Sequence, residues 1–395
     1  MKKFNTKILY IYKFINNCMP IYAFYTILFI ERELSITDVA LLIALWSFFT
    51  IIFEIPSGIL ADRYNRRNML AIAPALKGVC FIIWFFSHSF FMFALGFVFW
   101  AVSGAFESGT EEGLIYDNLK SDGREEDFTK IYGRVKFCAN AGNISGIASA
   151  GVLVMFIGIE TMALISAAIC FINIIFALQI REKNFYSENL KEKAVNFFGT
   201  FKEAGAFIKS SKIALILILF LVLFASLGNY LDEFDALIIN DFGLEKFWVS
   251  VILTVRFIFI AIGDIIAPYV QKRVSSVGQA FLLGGASCAL LAIFAVIWNG
   301  YAIIFFGLSF MVMAVTEILL VNILQCEIKE EGRATVMSFL GIGQNIAVIC
   351  LSAVYAFLAG VFALQYVYII IAAYGIIGGL GFYVFSFKTS NKKQI

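Results

Sequence analysis

Long apolar runs separated by short polar loops repeat from one end of the chain to the other. They lie at 8–30, 37–61, 69–87, 90–114, 133–157 and 160–180, and again at 212–238, 246–270, 277–298, 300–325, 334–358 and 362–386. Each is close to the roughly 20 residues that an apolar α-helix needs to cross a bilayer core about 30 Å thick. A membrane barrel is excluded, because its strands are alternating segments of about ten residues. Helices satisfy their own backbone groups in lipid, so the pattern predicts an all-α polytopic membrane protein with twelve transmembrane helices, spans 1 to 12. The longest polar interruption divides them into two bundles of six: residues 1–181, a linker over 182–211, and residues 212–395.

Inside the linker, Leu190, Ala194, Phe197, Phe201, Ala204 and Ile208 share one helical stripe, and Lys191, Lys193, Lys202 and Lys209 lie off it. This predicts an amphipathic helix lying on the cytoplasmic leaflet. The two halves also carry matching pieces in the same order. Span 5 opens with Gly133-Arg134 and span 11 with Gly332-Arg333, and Gly142 and Gly341 follow at equal spacing. Span 2 ends in Gly58 and Arg66-Arg67, span 8 in Gly263 and Lys272-Arg273. Span 4 carries Val102 to Glu107 and span 10 carries Val312 to Glu317. A duplicated six-helix unit with pseudo-twofold symmetry follows, and a substrate site in such a protein lies at the repeat interface near the midplane.

The loop between spans 2 and 3 is the most ordered polar stretch, with Gly58, Leu60, Ala61, Asp62, Arg63, Asn65, Arg66 and Arg67 in fixed register. Gly58 permits close helix approach, Asp62 can cap a helix or pair with a base, and the arginines hold the loop in the cytoplasm. This resembles the loop signature of the major facilitator superfamily, Gly-x-Leu-Ala-Asp-Arg-x-Gly-Arg-Arg/Lys. Asn65 stands where the family has its second glycine; asparagine tolerates a left-handed backbone, so the turn is expected to form. The resemblance implies a bacterial transporter of the drug or metabolite efflux type, with spans 1, 4, 7 and 10 lining a central cavity. It also implies that Asp117, at the end of span 4, pairs with Arg66, and that Asp62 sits against the start of span 11 near Gly332, Arg333 and Ala334. Gly58, Asp62, Arg63, Arg66, Arg67 and Asp117 are therefore the expected conformational gate, closed when the carrier faces outward and broken when it turns inward. The span 5 signature of drug/proton antiporters is only partly present, in Gly142, Gly146 and Gly151 without a proline.

Composition agrees with a membrane protein: 61% hydrophobic residues, 15% charged and a mean hydropathy of +0.88. About 25 of the 30 Lys and Arg residues fall on the side of the two termini, and Arg32 and Lys246 on the other, which puts both termini in the cytoplasm. Lys2, Lys3 and Lys7 precede the first run as in a signal peptide, but the run is too long and lacks a small-residue cleavage site, so it is read as span 1. The seven cysteines have no CxxC spacing and read as buried thiols. No basic tract interleaved with aromatics points to nucleic acid.

A charge at the centre of a span costs about 2.5–3.5 kcal/mol on insertion scales, so each one needs a reason. In span 4, Ser103, Glu107 and Glu111 recur every four residues on one face. Glu107 and Glu317, in spans 4 and 10, are the first candidates for proton coupling, because a carboxylate in a partly desolvated cavity can exchange protons near neutral pH. Glu111 belongs to the same set, although its place near the end of the span also fits solvent exposure. In span 7, Asn229, Asp232 and Glu233 share a face, with Asp235 following; a cation vestibule and a wetted helix end both fit. Arg256 sits near the middle of span 8 and needs a partner, Asp232 or an anionic substrate. Span 1 supplies Lys13, Asn16, Asn17, Tyr22 and Tyr25, of which Asn17 and Tyr25 are candidate substrate contacts, and Pro20 predicts a kink. Glu54, before Pro56, is expected to face span 11 or the cavity mouth.

Enzyme classes fall away on the same residues. The only histidine, His88, lies in an outer loop without ligands nearby, and no phosphate-binding Gly-x-x-x-x-Gly-Lys-Ser/Thr is present. Ile262-Gly263-Asp264 lacks the glycine of an intramembrane aspartyl protease, since Ala261 occupies its place. The sequence therefore predicts a secondary active transporter for a small organic solute, without cofactor or metal, working as a monomer in the bacterial inner membrane. Proton-coupled export is the leading reading; uptake by a symporter or uniporter is the alternative.

Overall fold

The computed structural model describes residues 5–63, 65–108, 110–182, 211–274, 276–327 and 333–390. Every regular element among them is helical. The amphipathic helix expected in the linker, from Leu190 to Ile208, lies outside the described residues. The chain divides into two compact units, Met1–Val195 with Glu245–Val251, and Asn196–Leu244 with Ile252–Ile395.

In the first unit, span 1 is α1 (Thr6–Asn17) and α2 (Tyr25–Glu31), with a 3₁₀ turn over Pro20–Ala23 between them. Pro20 has no N–H to donate, so the helix stops before it and restarts after one tight turn. Span 2 is α3 (Ile36–Arg63) and span 3 is α4 (Arg66–Phe86). Span 4 was expected as one rod but is two pieces, α5 (Phe90–Glu107) and α6 (Thr110–Ser121), because Ser108 leaves the helical conformation at ψ 139°. Spans 5 and 6 are α7 (Phe128–Leu153) and α8 (Ile159–Gln179).

In the second unit, span 7 breaks after Asp232 into α9 (Lys212–Asp232) and α10 (Asp235–Asp241). Spans 8 to 12 are α11 (Lys246–Gln271), which belongs to this unit from Ile252 onward, α12 (Val277–Ile297), α13 (Ile303–Glu327), α14 (Arg333–Val361) and α15 (Leu364–Ser390). Among the described residues, ten helices are long and apolar enough to cross a membrane. Spans 1 and 5 are not among them: span 1 is broken, and the first half of α7 carries Lys130, Arg134 and Lys136.

Three helix pairings recur in both units: span 1 with 5 and 7 with 11, span 3 with 6 and 9 with 12, span 3 with 4 and 9 with 10. In lipid, apolar burial does not drive helices together, so close backbone approach and buried hydrogen bonds do. A Cβ at Gly146 of α7 would lie 2.6 Å from the Met19 nitrogen, which fixes α7 against the break in span 1. In the second unit, a Cβ at Gly379 of α15 would lie 2.8 Å from the Gly285 backbone of α12. Trp84 of α4 is fully buried, donates its indole N–H to the Phe93 carbonyl at 3.2 Å, and heads an aromatic cluster with Phe29, Phe81, Phe97 and Trp100.

Three expectations are corrected. Asn65 has φ −60° and ψ 118°, the extended conformation of an N-cap, so its position needs no left-handed turn. Gly142 is clamped against the Phe14 carbonyl, whereas a Cβ at Gly341 would meet nothing within 4 Å, so equal spacing does not mean equal packing. Cys350 of α14 is exposed, unlike the buried Cys80, Cys170 and Cys288.

Candidate functional site

The breaks in spans 1 and 4 meet at a buried charged cluster. Lys13 of α1 forms ion pairs with Glu107, the last residue of α5, and with Glu111 of α6 at 2.7 Å. Asn16 donates from Nδ2 to both oxygens of Glu107, at 3.0 and 2.9 Å, and accepts from Asn173 of α8 at 3.3 Å. Since α5 ends at Glu107 and α6 begins at Thr110, the two carboxylates approach one ammonium from different segments. Glu111 is 4% exposed, so solvent exposure at the end of the span does not account for it.

Lys77 stands in the middle of α4, buried, beside the Tyr22 hydroxyl and within electrostatic reach of Glu107. The reading of the sequence passed over it, although the cost argument that singled out Arg256 applies equally to a lysine in the centre of run 69–87. With Lys77 included, the cluster holds two ammonium groups and two carboxylates. Buried charges of this kind are stable only when paired and hydrogen-bonded, and here they are.

The other span 1 candidates have mainly local roles. Asn17 donates to the Lys13 carbonyl one turn back at 2.9 Å. Tyr25 is packed into the aromatic cluster, stacked on Trp84 at 5.5 Å and edge-on to Phe29, and among the described residues no hydrogen bond joins it to the charged groups. Its signal in the sequence, a tyrosine near a helix break, does not separate a ligand contact from a core residue.

In the second unit, Arg256 of α11 is 2% exposed. It is ion-paired with Asp232 and, at 2.8 Å, with Asp235, and its guanidinium lies over the rings of Phe257 and Phe310. Asp235 is fully buried, which removes the wetted-helix-end reading for that residue. Glu317 of α13 is half-buried, and among the described residues no hydrogen bond or ion pair reaches it; Asp264 of α11 acts on it as a like charge.

At the start of α4, Arg66 donates from Nη1 to Asp117 at 2.6 Å, and its guanidinium lies over Gly113. The Glu182 carboxylate, just past α8, accepts from the backbone N–H of Arg66 at 2.8 Å and of Arg67 at 3.1 Å. An anion on the unpaired donors of a helix N-terminus is stabilising, so Glu182 does for α4 what a local cap does elsewhere. A cap from a residue more than 100 positions away leaves no local pattern in the sequence. Gly58, Asp62 and Arg63 lie on α3, with side chains outside what the structure describes. Glu54 accepts from the Ser108 hydroxyl at 3.0 Å, joining span 2 to the break in span 4. No group of three or more His, Cys, Asp or Glu residues able to hold a metal ion occurs among the described residues.

Comparison with known proteins places this geometry in context. The family model of the Major Facilitator Superfamily matches residues 14–325. An uncharacterized MFS-type transporter of Bacillus subtilis (strain 168), YfkF, is 33% identical over 69 residues, 18% of this chain and 16% of that protein. Among solved structures, the nucleoside transporter NupG aligns with a TM-score of 0.78 at 14% identity, over 96% of this chain and 98% of that one. A D-xylose-proton symporter aligns with a TM-score of 0.72 at 13% identity, over 95% and 94%. At such identities the likeness shows the fold alone.

Proposed function

The chain belongs to the Major Facilitator Superfamily, and on that footing we propose that this multi-pass membrane transporter is a proton-coupled carrier of a small organic solute, working by alternating access. The observation that carries the coupling is the sharing of one ammonium, Lys13, by two carboxylates. The Glu107 and Glu111 charges repel across it; Lys77, within electrostatic reach of Glu107, offsets the second charge, and a proton on either carboxylate removes the repulsion. Glu317 is the second proton acceptor in this reading, because it is half-buried and no base pairs with it among the described residues.

Export is the first reading of direction, on the resemblance of the loop signature. The second, uptake by symport, is favoured by the fold it shares with a nucleoside transporter and a D-xylose-proton symporter. The gate is part of the proposal: Arg66 with Asp117 is its described member, and Gly58, Asp62, Arg63 and Arg67 complete it. Orientation with both termini in the cytoplasm, in a bacterial inner membrane, rests on the bias of Lys and Arg.

Everted and right-side-out vesicles, each carrying a pH gradient and challenged with one panel of nucleosides, sugars, amino acids and lipophilic cations, test the reading. Dissipation in everted vesicles marks export by antiport, and solute accumulation in right-side-out vesicles marks symport. Transport of a panel compound at the same rate with and without the gradient would contradict proton coupling.

A further inference from the structure

Six buried side chains gather around the break in span 7: Tyr230 and Ser352, within hydrogen-bond reach of each other, and Asp235, Arg256, Tyr355 and Tyr368, with polar atoms that no hydrogen bond satisfies. None is more than 2% exposed. Their proximity is explicit: the Tyr230 and Tyr355 rings meet edge to face at 5.6 Å, and Tyr368 is within electrostatic reach of Tyr355, Asp235, Tyr230 and Arg256. Folded proteins satisfy the great majority of their buried polar atoms, so several orphans in one place mark bonding capacity that the chain itself leaves unused.

Charge narrows what that is. Asp232, Glu233 and Asp235 all act on Arg256, and among the described residues no other cation contacts them. Three carboxylates against one guanidinium leave excess negative charge, and one of the three is fully buried. An anion is disfavoured by this balance, and the two faces of the guanidinium are covered by Phe257 and Phe310. Water alone would satisfy the hydroxyls and leave the charge in place. The unsatisfied oxygens come from one carboxylate and two phenols, with the Tyr230 and Ser352 hydroxyls beside them, a set of hard donors. Access is present too, since the Asp232 side chain is 41% exposed while Arg256 ties it to the buried Asp235.

We propose that this cluster binds one small monovalent cation, a proton or sodium, on the Asp235 carboxylate with the neighbouring hydroxyl oxygens. The groups around Asp235 are Tyr230 and Asp232 of α9, Glu233 in the break, Arg256 of α11, Ser352 and Tyr355 of α14 and Tyr368 of α15. The site is separate from Lys13, Glu107 and Glu317, and its test needs neither the solute nor the direction of transport.

Purified full-length protein in detergent is assayed for saturable ²²Na⁺ binding and for the infrared band of a protonated carboxyl. If the cation is sodium, one equivalent binds per chain, and Asp235→Asn lowers affinity at least about tenfold. If it is a proton, sodium does not bind, and the carboxyl band of the parent disappears in Asp235→Asn. Tyr368→Phe, which removes one oxygen and keeps the ring, weakens the sodium signal or shifts the carboxyl band, so the proposal stays testable should Asp235→Asn fail to fold. Absence of sodium binding, together with a carboxyl band unchanged in Tyr368→Phe and in any folded Asp235→Asn, overturns the proposal.

Discussion

In the first unit the buried charges of spans 1, 3 and 4 are matched: two lysines and two glutamates, with Asn16 filling both oxygens of Glu107. In the second unit the helices pair in the same order, but the charges are not matched. Arg256 faces three carboxylates, and Glu317, which stands where the repeat places Glu107, has no partner among the described residues. Duplication kept the packing scheme, because small residues and backbone approach set it. The polar residues diverged, which separates a preorganised site from one that needs an added cation.

The largest expected effects break the charge pattern of each unit. Arg256→Met leaves Asp235 buried without its counter-charge, and Lys13→Met does the same to Glu107 and Glu111; each is expected to cost about 3–5 kcal/mol. Thermal unfolding of purified variants, followed by size-exclusion chromatography, checks this. Equal stability of both variants and the parent would mean that neither cluster is held together as described.

Next comes a pair of opposite sign. Gly142→Ala drives a methyl into the Phe14 carbonyl and is expected to destabilise by about 1–3 kcal/mol. Gly341→Ala meets open space within a helix and is expected to stabilise by about 0.5–1 kcal/mol. Unfolding midpoints that move in the same direction would restore the equivalence that the spacing suggested. The smallest effect concerns helix starts. Span 3 is capped from a distance by Glu182, while Ser276 caps span 9 locally by accepting from the Gln279 N–H at 3.3 Å. Glu182→Gln, which keeps an acceptor and removes the charge, is expected to cost about 0.3–1 kcal/mol, an effect that shrinks in high salt. A salt-independent midpoint would assign Glu182 a purely steric role.

Much of this molecule was legible beforehand, and the reason is the solvent. In a bilayer, apolar length alone marks a helix, so all twelve spans fall close to where the runs put them. Breaks were legible only where a residue forces them: Pro20 announces the interruption of span 1, whereas Ser108 and Glu233 carry no comparable mark. Glu107 and Arg256 stood out because a charge in mid-span demands a partner. Two partners could be named beforehand, Asp117 for Arg66 through the resemblance and Asp232 for Arg256 through the cost of a lone charge, whereas Lys13 meets Glu107 across 94 positions with nothing local to join them. Tyr230, Tyr355 and Tyr368 gave no signal at all, because a tyrosine in an apolar run looks the same whether its hydroxyl is satisfied or not.

The central claim is that the carboxylates of spans 4 and 10 carry the coupled proton, and solute counterflow compared with pH-driven transport in proteoliposomes tests it most directly. With a substrate found in the vesicle screen, Glu107→Gln and Glu317→Gln are expected to keep counterflow, which needs no proton gradient, while transport driven by an imposed gradient falls at least about tenfold. Both variants responding to the gradient as the parent does would contradict the claim.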